Sequence, residues 1–240
     1  MSSAQVDLDA RRLRLSRRHL GLMARICKSQ PRAGDDAIAA ELAAAGVVGS
    51  DGQVVPSLRP VALAAAHVVF EFDIGRARGG RTWSVQAWWS PAGLLVVPQG
   101  PDDAVKDIAF LHPSALARTL VRLLGLRARP CPSRIGPGPL TLTELLDPFR
   151  EGKLGWLDAI TDHPSRTTLD RVDVRTAVTG QPATLLLVDS PDGLWRVTSV
   201  DRGAFRLDST TLTLVFAIFA TWQRSAMGQG RGVKDATNSS

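Results

Sequence analysis

The tetrad Ser-Pro-x-Gly occurs twice in this chain, a hundred residues apart, as Ser90-Pro91-Ala92-Gly93 and Ser190-Pro191-Asp192-Gly193. Each is a turn with a mechanism: proline presets φ at one central position, and glycine tolerates the conformation that closes the turn. Each lies between two strand-like runs, and each unit ends in an apolar stretch, near Leu126 in one case and Trp222 in the other. A repeated turn in repeated surroundings predicts two copies of one supersecondary unit. The fold class that follows is α+β: a quasi-twofold arrangement of two antiparallel β-meander-plus-helix units, with helices packed on the sheet.

The strand candidates of the first unit are 68–74, 82–89, 94–97 and 105–111, followed by a helix from Pro113 to Leu126 with His112 in its cap region. Those of the second are 167–178, 183–189, 194–200 and 204–207, followed by Leu212–Gln223. The last segment reads as helix by analogy with the first unit, although Thr211, Thr213 and Thr221 also suit a strand. Ahead of both units, leucines at 8, 13, 15, 20 and 22 predict an amphipathic helix from Leu8 to Ile26. Asp35-Asp36 opens an alanine-rich helix closed by Gly46, and a short helix runs from Pro56 to Ala66. Gly75–Arg81 reads as a glycine-rich basic loop, and 157–165 as irregular. The Pro/Gly-rich stretch 127–139 reads as a linker. The expected division is therefore 1–126, a linker 127–139, 140–226 and a disordered tail 227–240, all within one compact body.

The formal charge of +6 is concentrated: seven basic residues and two acidic ones lie between Asp7 and Lys28. Cys27 and Cys131 have neither the number nor the spacing of a disulfide framework or metal site. The N-terminus lacks a leader's apolar core, and the longest apolar run, Leu212–Trp222, is short of the ~20 residues needed to span a bilayer. A soluble, cytoplasmic protein that does not enter membranes is expected.

Catalytic signatures are thin. His19, His67, His112 and His163 have no metal-ligand spacing, no Gly-x-Ser-x-Gly elbow occurs, and Gly75–Gly80 lacks the Lys-Ser/Thr of a phosphate loop. Neither catalytic residues nor a cofactor or metal is expected. Surfaces remain. On strand 82–89, Trp83, Val85, Ala87 and Trp89 point one way and Ser84, Gln86 and Trp88 the other. If the first set faces the core, Trp88 stands on the outer sheet face, a position suited either to packing under a helix or to gripping a partner. On 194–200, Trp195, Val197 and Ser199 share a face, and Leu194 and Arg196 take the other.

The run from Ala37 to Val48, followed by Asp51-Gly52-Gln53-Val54-Val55-Pro56-Ser57-Leu58, resembles the EspG family of ESX (type VII) secretion-associated proteins. So does Asp192-Gly193-Leu194-Trp195-Arg196-Val197 in the second half. The resemblance spans residues 8 to 224. It implies a quasi-twofold fold and a non-catalytic cytosolic chaperone that binds the helical tip of a secreted PE–PPE pair. By that analogy the contact surface comprises the outer sheet face, its hairpin and helices near the C-terminus, nominating Arg76, Arg78, Arg81, Gln86 and Trp88, with Trp195 and Arg196. Oligomeric state, monomer or homodimer, is left open. The alternative is a nucleic-acid-binding regulator in which Arg11, Arg12, Arg14, Arg17, Arg18, Arg25 and Lys28 contact phosphate. Against it, the 36–66 helices offer only Gln53 and Arg59 for reading bases.

Overall fold

A computed structural model describes residues 4–237 except 8–11, 31, 33, 103, 133–136, 152–155, 177–182 and 201–202, with side chains described as far as Ser225. Among the described residues eleven strands form one antiparallel sheet. The first unit supplies β3 (Phe70–Arg78), β4 (Arg81–Ser90), β5 (Gly93–Pro98) and β6 (Lys106–Leu111); the second supplies β8 (Thr168–Thr176), β9 (Ala183–Ser190), β10 (Gly193–Ser199) and β11 (Ala204–Thr210). Across the sheet the order is β1-β2-β6-β5-β4-β3-β8-β9-β10-β11-β7, with β1 at Gln5–Asp7, β2 at Arg12–Leu15 and β7 at Leu140–Thr141. The two meanders are thus joined back to back through β3 and β8.

The register locates the pseudo-twofold axis. In each Ser-Pro turn Ser pairs with Gly, Ser90 with Gly93 and Ser190 with Gly193. The serine hydroxyl accepts backbone N–H bonds inside the turn, from Ala92 at 3.1 Å in the first and from Asp192 at 3.3 Å in the second. Carrying that correspondence back through the ladders brings the axis to the cross-strand pair Ile74–Val172, two fully buried side chains. Both pair members point to the same face, as opposed residues in an antiparallel ladder must.

That face is covered by α4 (Leu116–Leu123) and α7 (Leu212–Thr237). Leu116 and Leu120 of α4, and Val215 and Phe219 of α7, close over Phe70, Phe72, Ile74, Val85, Val172, Leu185 and Leu187. Phe72 and Trp222 sit 6.1 Å apart between ring centroids. The equivalence Leu116 to Val215 and Leu120 to Phe219 settles the 212–223 segment as helix, since its core contacts recur at a spacing of four.

The other face carries two separate clusters. Helices α1 (Arg17–Cys27), α2 (Asp36–Ala44) and α3 (Arg59–Ala66) cover Leu95, Val97 and Ile108 on one wing. On the other wing α5 (Leu142–Glu151) and α6 (Leu157–Ile160) cover Leu169, Val188, Trp195, Val197 and Leu207.

Four expectations change. Arg12–Leu15 is a strand and not part of a helix from Leu8, because Leu13 and Leu15 are buried at period two and pair towards β6; residues 8–11 lie outside the described set. Gly75–Arg81 is not a loop. The strands run to Arg78 and from Arg81, and Gly79 and Gly80 make a two-residue turn with φ of 52° and 74°, the left-handed pair a tight hairpin requires. Residues 157–160 are helical, with Leu157 and Ile160 buried. The last helix continues to Thr237, past the point where composition places the end of order.

The linker is held down in part: Arg129 grips buried Asp189 through two bonds of 2.7 and 3.1 Å. Strand β7, which follows it, pairs with β11 only at Ala204 and Phe205. Among the described residues no helix is long and apolar enough to cross a membrane.

Phe219 is 0% exposed between α7 and the sheet, whereas Leu214, five residues earlier on the outer side of the helix, is 56% exposed. Phe219→Ala is expected to cost roughly 3–5 kcal/mol in urea unfolding. Leu214→Ala should stay within about 0.5 kcal/mol.

Candidate partner-binding surface

Between the two helical wings the middle of the sheet is uncovered. Its floor is made of the alternate residues of β3, β4, β8 and β9 that point away from α4 and α7. At the centre Asp73 and Asp173 stand directly opposite one another, an arrangement that is repulsive unless each charge is answered. Both are answered. Asp73 accepts the Arg175 guanidinium and the Gln86 amide, the latter at 2.5 Å. Asp173 accepts Arg171 Nε and the Thr184 hydroxyl, each at 2.6 Å. The floor is therefore polar, ordered and close to neutral.

Along the α5 side the floor drops into an apolar cleft of about 600 Å³. Its walls include Leu142, Leu146, Leu169, Leu186 and Phe205, and Leu142 remains 48% exposed. Trp83 borders the cleft through its strand, but its side chain alternates with Val85 onto the α4/α7 face, beside Arg76. The hairpin tip is fixed against α5 by a bond from Gly80 N–H to the Phe149 carbonyl at 3.0 Å. α5 itself is set by a reciprocal cap: Glu144 accepts the backbone and hydroxyl protons of Thr141 at 2.8 Å, and Thr141 accepts Glu144 N–H at 3.3 Å. Large exposed apolar side chains on well-anchored backbone are what a docking site needs.

The sequence-nominated residues separate in this frame. Gln86 lies on the floor. Arg78 and Arg81 are exposed at the hairpin end, where Arg78 Nε donates to the Ser165 carbonyl at 2.7 Å. Trp88 points to the floor side as expected but is half-buried against the α1–α3 cluster, and so serves as packing. Trp195 is 1% exposed, in the core under α5 and α6. Arg196 is exposed on the opposite face, in the groove beside α7.

Arg76 also lies on the α4/α7 face. Its guanidinium holds Asp170 through bonds of 2.6 and 3.1 Å and lies where Gly125, at the end of α4, leaves room; a Cβ there would come within 2.9 Å of it. Asp170 is fully buried. Burial pushes its carboxyl up to about 6, with Arg76 pulling it back down. Leu142, exposed, and Phe205, half-buried, neither of which the sequence reading nominated, supply apolar surface to the cleft. The missed signal was Leu142–Leu146–Phe149, an apolar stripe just after the linker.

The basic N-terminal segment is split between β2 and α1 and partly neutralised, with Arg14 at 3.5 Å from Asp107, Arg17 at 3.7 Å from Asp102 and Arg25 at 2.5 Å from Asp35. Among the described residues no group of three or more His, Cys, Asp or Glu gathers to hold a metal.

No protein-family model matches the chain, and no curated protein matches it. Among solved structures it is similar to the type VII secretion system chaperone EspG5 of Mycobacterium tuberculosis, determined in complex with the PE25–PPE41 dimer. Identity is 13%, the match covers 86% of this chain and 93% of that one, and the TM-score is 0.49.

Arg76→Ala leaves Asp170 buried and unpaired, and is expected to cost roughly 3–5 kcal/mol; Arg78→Ala should be near-neutral in the same unfolding assay. Folded Asp170 holds its proton more tightly than the unfolded chain does. Its contribution to stability therefore falls as pH rises from about 4 through about 6 and is level above that. Thermal midpoints measured across pH 4–7 should show this slope, and Asp170→Asn should flatten it.

Proposed function

We propose that this protein is a non-catalytic cytoplasmic chaperone or adaptor that holds the helical tip of a secreted protein pair for type VII (ESX) secretion. The single observation that carries the reading is the uncovered mid-sheet floor with its adjoining apolar cleft. A helix tip with exposed apolar residues aggregates in water, and a cleft walled by Leu142, Leu146 and Phe205 can cover such a tip without any chemical step. The polar floor supplies orientation: Gln86, Thr184 and two arginine–aspartate pairs present donors and acceptors whose positions are fixed. The sequence resemblance to the EspG family supports the same class of partner. Nucleic-acid binding is the weaker reading, because three of the arginines it needs already face carboxylates.

Affinity capture of the tagged chain from its native host, with identification of co-purifying proteins, tests the proposal. A small helix-rich secreted partner is expected, and Leu142→Asp should reduce its recovery at least tenfold while leaving the unfolding midpoint within a few degrees. Recovery of nucleic acid alone, released by moderate salt, would overturn it.

A further inference from the structure

The pseudo-twofold axis allows the two helices on the closed face to be compared residue by residue. With Leu116 equivalent to Val215 and Leu120 to Phe219, Arg118 of α4 corresponds to Ala217 of α7, and Arg122 to Thr221. The outward flank of α4 is thus an ordinary charged surface. The same flank of α7 is Leu214, Ala217, Ile218, Thr221 and Trp222, and no charged residue occurs from Leu212 through Gln223. A surface helix with no charge on its outer side is adapted to being covered.

This flank forms one wall of a groove of about 460 Å³ above β10 and β11. The floor is polar and carries an excess of positive charge. Arg196 lies across from Asp208, but the Asp208 carboxylate already accepts Arg206 at 2.7 and 3.3 Å and the Thr198 hydroxyl at 2.6 Å. Two guanidinium groups therefore share one carboxylate. In the first half the position equivalent to Arg196 is Val96, which is buried, so both the apolar wall and the basic floor are peculiar to this side.

We propose that the groove between α7 and strands β10–β11 binds an amphipathic helix that lays its apolar stripe on α7 and places an aspartate or glutamate against Arg196. The wall from Leu214 to Trp222 is about 12 Å long, two to three turns of such a helix. A second copy of this chain is disfavoured as occupant, because α7 brings no carboxylate between Leu212 and Ser225 to meet Arg196. The site lies on the opposite face of the sheet from the Leu142–Phe205 cleft and is independent of it.

The test uses the full chain and two fluorescently labelled 16-residue helical peptides with the same leucine stripe, one flanked by glutamate and its twin by lysine, read by anisotropy. The glutamate peptide is expected to bind at least tenfold tighter than its twin, with the preference lost in Arg196→Ala. Binding should vanish in Ala217→Arg, a change that places at α7 what Arg118 is in α4; Thr221→Arg, the counterpart of Arg122, serves if Ala217→Arg fails to fold. Leu142→Asp should leave the affinity unchanged. Equal binding of the two peptides, or binding indifferent to both arginine variants, overturns the proposal. So does a concentration-dependent dimer in sedimentation that either arginine variant abolishes.

Discussion

Strands β3 and β8 pair antiparallel from Phe70–Thr176 to Ala77–Leu169, and this ladder makes one sheet out of two meanders. Its two faces demand opposite things. Towards α4 and α7 it offers Phe70, Phe72, Ile74, Val172 and Val174, all buried, so that face must be closed. Towards the other side it offers Glu71, Asp73, Arg171, Asp173 and Arg175, whose charges favour leaving that face to water or to a polar partner. The helical wings therefore cover apolar patches further out and leave the middle bare. The candidate site follows directly from the side-chain alternation of two strands.

Long-range ion pairs hold this arrangement on the closed face. Arg76 and Asp170 are 94 residues apart in sequence, and Arg129 and Asp189 are 60 apart. Both carboxylates are buried, so loss of either arginine leaves an uncompensated charge in the core. The first pair ties β3 to β8 at the hairpin end; the second ties the linker to β9. Their effect on folding is thus larger than their effect on any surface contact.

The sequence made much of the scaffold legible. The Ser-Pro turns marked equivalent hairpins, the alternation along 82–89 placed Gln86 and Trp88 on the correct face, and the strand runs of both units fell within a few residues of their true ends. What escaped had local patterns compatible with two structures. Arg12-Leu13-Arg14-Leu15 alternates at period two, yet its leucines also fit the spacing of the helix that follows. Gly79-Gly80 is a tight turn that looks like the middle of a loop when arginines flank it. Trp88 and Trp195 look like anchors until the wing helices are placed over them, and those positions depend on contacts between distant segments. The exposed cleft was hidden for the same reason: Leu142, Leu186 and Phe205 come to one cleft only after β7 pairs with β11 and the hairpin docks on α5.

The two-residue length of β7 has a consequence at the border of the sheet. Continuing its register backwards along β11 would set Pro139 against Arg206 and Pro137 against Asp208. Proline has no N–H to give, so the ladder cannot propagate there. An eleven-stranded sheet ending in an open strand would be a template for joining molecules edge to edge into fibres. The proline-rich crossing between the halves places a strand terminator along that margin, and the charged pair Arg206–Asp208 on β11 itself reinforces it.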